Sequence, residues 1–165
     1  MVILEILHSH HQKQNFDCGN TSLNHYLHRQ STQDMRKNLT VCFVAAEGAT
    51  VIGYFTLTAH ALQKHEVSTS VTKHLPRGYA VPVILLGRLA IDCTHQGKGL
   101  GKALLYGALT RAFTYSQKSV GAVAVVTDPV DERAKRFYEA FQFVELKASN
   151  RLFLPMRSIQ KWIRK

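Results

Sequence analysis

The segment from Val81 to Thr127 constrains the fold of this chain more than any other. VPVILLGRLAID (81–92) is a short, almost uninterrupted apolar run, the pattern of a buried strand, and Gly87 within it marks a bulge. QGKGLGKALL (96–105) follows directly. From Leu100 onward Ala103, Leu104, Gly107, Ala108 and Ala112 recur on one helical face, which predicts a helix over residues 99 to 116. GAVAVVT (121–127) is then a second buried strand, so the second half of the chain holds a βαβ unit.

The remaining segments supply further strands and helices. VILEIL (2–7) reads as a strand, and Asn20-Thr21 as the cap of a helix running through Leu23, Tyr26, Leu27 and Gln30. TVCFVAAE (40–47) and VIGYFTLTAHAL (51–62) read as a hairpin across Gly48-Ala49-Thr50. Residues 64 to 78 are polar, a loop with room for one short helix. Asp131 to Phe141 predicts a second helix, FVEL (143–146) and RLFLP (151–155) two β-type runs, and the chain closes on a short basic helix ending in Trp162. With 165 residues, no repeat and no linker, a single domain over 1–165 is expected.

Composition narrows the setting. The longest apolar run, Tyr79 to Leu86, contains Pro82 and falls far short of the roughly 18 residues of a membrane span. MVILEILHSHHQ carries Glu5 inside its apolar stretch and has no basic leader, so a cytoplasmic protein with no membrane partner is expected. Cys18, Cys42 and Cys93 form no CxxC pair, which argues against a disulfide framework or zinc ribbon. His8, His10 and His11 lack helical i, i+4 spacing and a nearby cysteine, so they are assigned to a surface loop and no metal site is expected. The balance of 21 Lys+Arg against 11 Asp+Glu, net +10, favours a polyanionic partner, nucleic acid or an acidic protein segment.

A glycine turn between strand and helix is an anion site, because unpaired N–H groups and the helix dipole face the same point. Which anion is decided by the letters. A Walker loop needs glycine five residues before Gly101-Lys102 and Ser/Thr after it; those places hold Gln96 and Ala103. A dinucleotide fingerprint needs glycine where Lys102 stands. What remains is Gln-x-x-Gly-x-Gly at Gln96, Gly99 and Gly101. This resembles motif A of the GNAT N-acetyltransferases. The resemblance implies an α/β GNAT fold: a central mixed, mostly antiparallel sheet of six or seven strands flanked by helices. It further implies acetyl-CoA as cofactor, with its pyrophosphate on Gln96, Gly97, Lys98, Gly99, Leu100, Gly101 and Lys102 and its pantetheine arm along Leu89, Ala90 and Ile91.

Ala134-Lys135-Arg136-Phe137-Tyr138-Glu139-Ala140-Phe141-Gln142-Phe143 resembles the A-x-x-F-Y-x-x-x-G-F helix of the same superfamily, with Gln142 where glycine is usual. By that resemblance Phe137 contacts the cofactor, and Tyr138 is the general acid that protonates the departing thiolate or a group that positions coenzyme A. FDCGNTSLNHYLHRQS (16–31), VIGYFTLTAHAL and VPVILLGRLAIDCTHQGKGLGKALL (81–105) together are similar to the toxin branch of the superfamily, from bacterial type II toxin–antitoxin pairs. That branch acetylates the α-amine of the amino acid on charged tRNA and blocks translation. It implies a ribbon–helix–helix antitoxin, operator DNA reached only through the antitoxin complex, and it allows a homodimer. A GNAT enzyme acting on a small amine or a protein N-terminus is the alternative.

The charge suits a tRNA substrate. From Leu146 to the end there are six basic residues, Lys147, Arg151, Arg157, Lys161, Arg164 and Lys165, and no acidic one. Arg36, Lys37 and Arg77 add positive surface able to meet phosphates. Arg88, a charge inside an apolar strand, needs a partner: cofactor, substrate or an internal carboxylate. An α-amine of pKa about 7.7 to 8.0 is partly neutral near pH 7, so no dedicated base is required.

Overall fold

The computed structural model describes residues 1–146 and 149–165, so Lys147 of the basic run lies outside the described residues. Seven strands occur among the described residues: β1 (Val2–Ile6), β2 (Val41–Glu47), β3 (Thr50–Leu62), β4 (Val81–Ile91), β5 (Ala124–Thr127), β6 (Val144–Glu145) and β7 (Leu152–Pro155). They form one sheet in the order β1-β2-β3-β4-β5-β7-β6. β4 and β5 run parallel, while the β1–β2, β2–β3, β5–β7 and β7–β6 pairs are antiparallel. The helices are α1 (Thr21–His25), α2 (Ser31–Arg36), α3 (Thr69–Thr72), α4 (Leu100–Lys118), α5 (Glu132–Glu139) and α6 (Met156–Ile163). The expected mixed sheet, the βαβ unit and the hairpin are all present.

The residues group into two compact units, Met1–Thr58 with Gly87–Ala108 and Ala59–Leu86 with Leu109–Lys165. In the first, Asn20 caps α1 by accepting the Leu23 N–H at 3.0 Å. One π-type turn, Tyr26–Gln30, joins α1 to α2, so the helical segment runs past the expected Gln30. Phe16, Tyr26, Leu27, Cys42, Val44, Tyr54 and Ala90 form its core. Tyr54 faces α1, donating its hydroxyl to Leu23 O at 2.7 Å. Its neighbour Gly53 faces the other way, where a Cβ would stand 3.3 Å from Leu104 of α4. Strand alternation thus sets α1 and α4 on opposite faces of β3.

The second unit is built on Leu62, Val67, Val81, Val83, Ala124, Val126 and Phe153. Two expectations need correction. Ala103 is exposed, and α4 buries Leu104, Leu105, Ala108, Leu109 and Ala112 instead, because the first turn of the helix stands clear of the sheet. The strand expected from residue 121 begins at Ala124, since Gly121 and its neighbours precede the first ladder pair, Val83 with Ala124. Gln142 adopts φ +71°, the left-handed conformation that explains glycine in the usual pattern. Here Gln142 bears that strain after α5.

Candidate active site

The glycine turn is assembled by its flanks. Asp92 ends β4 and caps the turn Cys93–His95, accepting the Thr94 N–H at 3.0 Å and its hydroxyl at 2.6 Å; its second oxygen accepts the Asp17 N–H at 3.0 Å. The Gln96 side-chain amide donates to Ile91 O at 2.8 Å and to Cys18 O at 3.0 Å. Gln96 therefore ties the F-x-C-G segment to the turn with its side chain and offers an anion only its main chain. Gly97 and Gly99 have φ of +76° and +82°, and nothing lies within 4 Å of where a Cβ would be. Both residues are exposed, and the first N–H groups of the 19-residue α4 have no intrahelical acceptor. Exposed Lys98 and Lys102 flank them. Donors before open space with positive potential on both sides are what a diphosphate requires, so these residues fit that part of acetyl-CoA.

β4 is irregular just upstream. A Cβ on Gly87 would meet Thr56 Oγ1 at 2.9 Å, while Arg88 places its Cζ 3.5 Å from the centroid of the Tyr26 ring, which stacks on Tyr54. Tyr54 and Thr56 share a face of β3, so consecutive residues 87 and 88 point to one side. That is a bulge, as expected from the glycine. Arg88 finds its partner in the face of Tyr26, a cation–π contact at the π-type turn, and makes no ion pair among the described residues. Beyond it Leu89 is half-buried and Ala90 and Ile91 are buried.

In the second unit, Asp131 caps α5 by accepting the Ala134 N–H at 2.7 Å, which orients the helix that carries Tyr138. Tyr138 is 5% exposed, with Phe137 and Phe143 edge-on at 5.3 Å. Burial pushes its phenol up to about 12, opposed by the neighbouring Thr127 hydroxyl. Thr127 itself donates to Leu86 O at 2.8 Å. The phenol is thus neutral at physiological pH. Phe137 is half-buried, wedged between Tyr138 and Phe141 at 5.3 Å each.

Arg36 is exposed at the end of α2, with Lys37 beside it, and Arg77 is exposed in the turn after α3. Arg36 lines a cavity of about 480 Å³ with His8, Lys13 and Thr32. Lys13 donates to Ser31 Oγ at 3.2 Å and Thr32 Oγ1 at 2.9 Å, and burial lowers its pKa. Sequence reasoning missed Lys13, Thr56 and Thr127, since a single polar residue beside a β-run carries no local signal. His11 is a correction: it is buried, accepts the His8 N–H on Nδ1 at 2.8 Å and faces Glu5 through Nε2 at 2.9 Å. The ligand atoms of Glu5, His10 and His11 lie within 4.8 Å of one another, and the Nδ1 contact leaves the His11 proton on Nε2, directed at Glu5.

Residues 4–143 match the Acetyltransferase (GNAT) family. The chain belongs to the GNAT acetyltransferases. Among curated GNAT relatives it is 31% identical over 141 residues to a tRNA-acetylating toxin of Mycobacterium tuberculosis, covering 86% of this chain and 82% of that one. Among solved structures it resembles AtaT complexed with acetyl-methionyl-tRNAfMet, at TM-score 0.90 and 29% identity over 99% of both chains. A tyrosine-to-phenylalanine mutant of AtaT bound to the C-terminus of the antitoxin AtaR and acetyl-CoA matches at TM-score 0.84 and 26% identity, again over 99% of both. No described helix is long and apolar enough to cross a membrane.

Proposed function

We propose that this protein is a toxin that transfers the acetyl group of acetyl-CoA to the α-amine of the amino acid on charged tRNA, blocking translation in the cytoplasm. The reading is supported by an anion cradle at 97–102 and by a buried phenol at Tyr138, in a chain that matches a tRNA-bound toxin end to end. Residues 1–165 act as one catalytic domain. An antitoxin of ribbon–helix–helix type holds the activity in check and brings the pair to operator DNA; two copies of the toxin pair on the substrate.

Acetyl-CoA supplies an acetyl group activated as a thioester. Gly97, Gly99, Leu100 and Gly101 bind its diphosphate through backbone N–H groups, with Lys98 and Lys102 beside them and the Gln96 main chain closing the turn. Leu89, Ala90 and Ile91 present the β4 backbone to the pantetheine arm, and Phe137 packs against it. The amine nitrogen forms the new N–C bond as the C–S bond breaks; Tyr138 gives its phenolic proton to the sulfur. The surplus proton on nitrogen passes to solvent, and solvent restores the phenol. Burial keeps the phenol protonated at physiological pH, so it has a proton to give. Arg36, Lys37 and Arg77 meet tRNA phosphates, and Arg88, its face on Tyr26, turns its N–H edge to the substrate.

The test is incubation of the purified protein with labelled acetyl-CoA and total charged tRNA. Label is expected on the aminoacyl ends, and Tyr138→Phe should lose it while keeping its affinity for coenzyme A. Turnover with small amines or protein N-termini and none with charged tRNA would replace this reading with the alternative.

A further inference from the structure

A charged cluster in the second unit stands where β4 and β5 part. Arg151 holds Asp128 at two points, Nε to Oδ1 at 2.7 Å and Nη2 to Oδ2 at 2.9 Å. Its Nη1 lies 3.0 Å from His60 Nε2 on β3. A guanidinium only donates, so His60 accepts through Nε2 and keeps its proton on Nδ1. Glu66 adds a further negative charge toward Arg151. Asp131, three residues further on, is committed to the cap of α5.

The placement goes beyond a brace between strands. The β4–β5 ladder ends at Leu86–Thr127, and Asp128 is the first residue past it. Leu62, Val126 and Phe153 share one core cluster, and His60, Asp128 and Arg151 each lie two residues along the same strands, hence on the same face. Thr127, beside the Tyr138 phenol, points to the opposite face. The end of β5 therefore carries a phenol on one side and a carboxylate on the other. The carboxylate is the open partner, its side chain 55% exposed against 22% for Arg151. Each oxygen, having spent one lone pair on Arg151, keeps another for a donor. In a chain of net charge +10 this is a fixed negative point suited to a cation.

We infer that Asp128 is the anchor for the α-ammonium group of the acceptor, with Arg151 and His60 as the residues that position it. The inference rests on the reading of the protein as an N-acetyltransferase of aminoacyl ends. Asp128 accepts N–H hydrogen bonds from the substrate nitrogen and orients it. The ammonium proton leaves to solvent, the free amine forms the N–C bond, and Tyr138 on the other face protonates the sulfur as the C–S bond breaks; the surplus proton on nitrogen passes to solvent, which restores the phenol.

The experiment uses the full-length protein with unacetylated coenzyme A, which permits binding without turnover. Affinity is compared for tRNA carrying an amino acid and for the same tRNA carrying the corresponding α-hydroxy acid. Wild type should prefer the aminoacyl form about tenfold or more, and Asp128→Asn should lose that preference while coenzyme A affinity and melting temperature hold. Arg151→Lys should fall between them. In turnover, Asp128 favours the charged amine, so Asp128→Asn should move the acidic limb of kcat to lower pH while kcat/KM falls. A purely structural role would not move that limb. An aminoacyl preference retained in Asp128→Asn, or an unmoved limb, overturns the anchor; wild type that never acetylates charged tRNA instead overturns the functional reading.

Discussion

Thr127→Val isolates the link between the fold and the chemistry of Tyr138. The substitution keeps shape and removes one hydroxyl, so Leu86 O loses the donor now at 2.8 Å and the phenol of Tyr138, 5% exposed, loses the hydroxyl beside it. A buried polar group left unpaired costs about 1–3 kcal/mol, so about 2 kcal/mol is expected here. For a chain of this length that is a fall of roughly 4–8 °C in melting temperature. The Thr127 hydroxyl also lowers the phenol pKa against the effect of burial, so its loss makes Tyr138 a poorer acid and kcat should drop about tenfold with coenzyme A affinity unchanged. Thermal unfolding by circular dichroism and single-turnover acetylation measure the two effects, with Thr127→Ser expected to restore both. A Val variant melting within about 2 °C of wild type, or a Ser variant as impaired as Val, would refute the argument.

Three further outcomes follow from the geometry. Gly87→Ala places a methyl 2.9 Å from the Oγ1 of fully buried Thr56 and should destabilise by about 1–3 kcal/mol; in a Thr56→Ala background most of that cost should vanish, as a double-mutant cycle by urea unfolding would reveal. Gln142→Gly relieves a left-handed residue and should stabilise by about 1 kcal/mol, a rise of roughly 2–4 °C; no rise in melting temperature would contradict the strain. Burial raises the Tyr138 phenol to about 12 from about 10 in the unfolded chain, and the stability this represents is present below pH 10 and lost as pH rises through 12. Between those values Tyr138→Phe should therefore lose less stability than wild type in urea titrations, and parallel losses would rule out Tyr138 as the source.

Local features were legible before any coordinates. The hairpin, the βαβ unit and the cap at Asn20 follow from hydrophobic period and side-chain chemistry within a few residues, and all are present. The glycine turn was legible for the same reason: φ of +76° and +82° is a demand that the letters Gly97 and Gly99 announce. Where reading by period failed, at Ala103, helical spacing could not say that the first turn of α4 stands clear of the sheet. His11 was misplaced because nothing in HSHH indicates that one of three histidines is buried against Glu5.

The sequence by itself determined the secondary elements and the glycine turn, since each depends on neighbours in the chain. Only the tertiary structure decided what these groups work with. Leu86 and Thr127 are 41 residues apart, Asp128 and Arg151 23, and His60 and Arg151 91. Hydrogen bonds need atoms within about 3 Å. No periodicity extends over such separations, and strand register alone brings those side chains together.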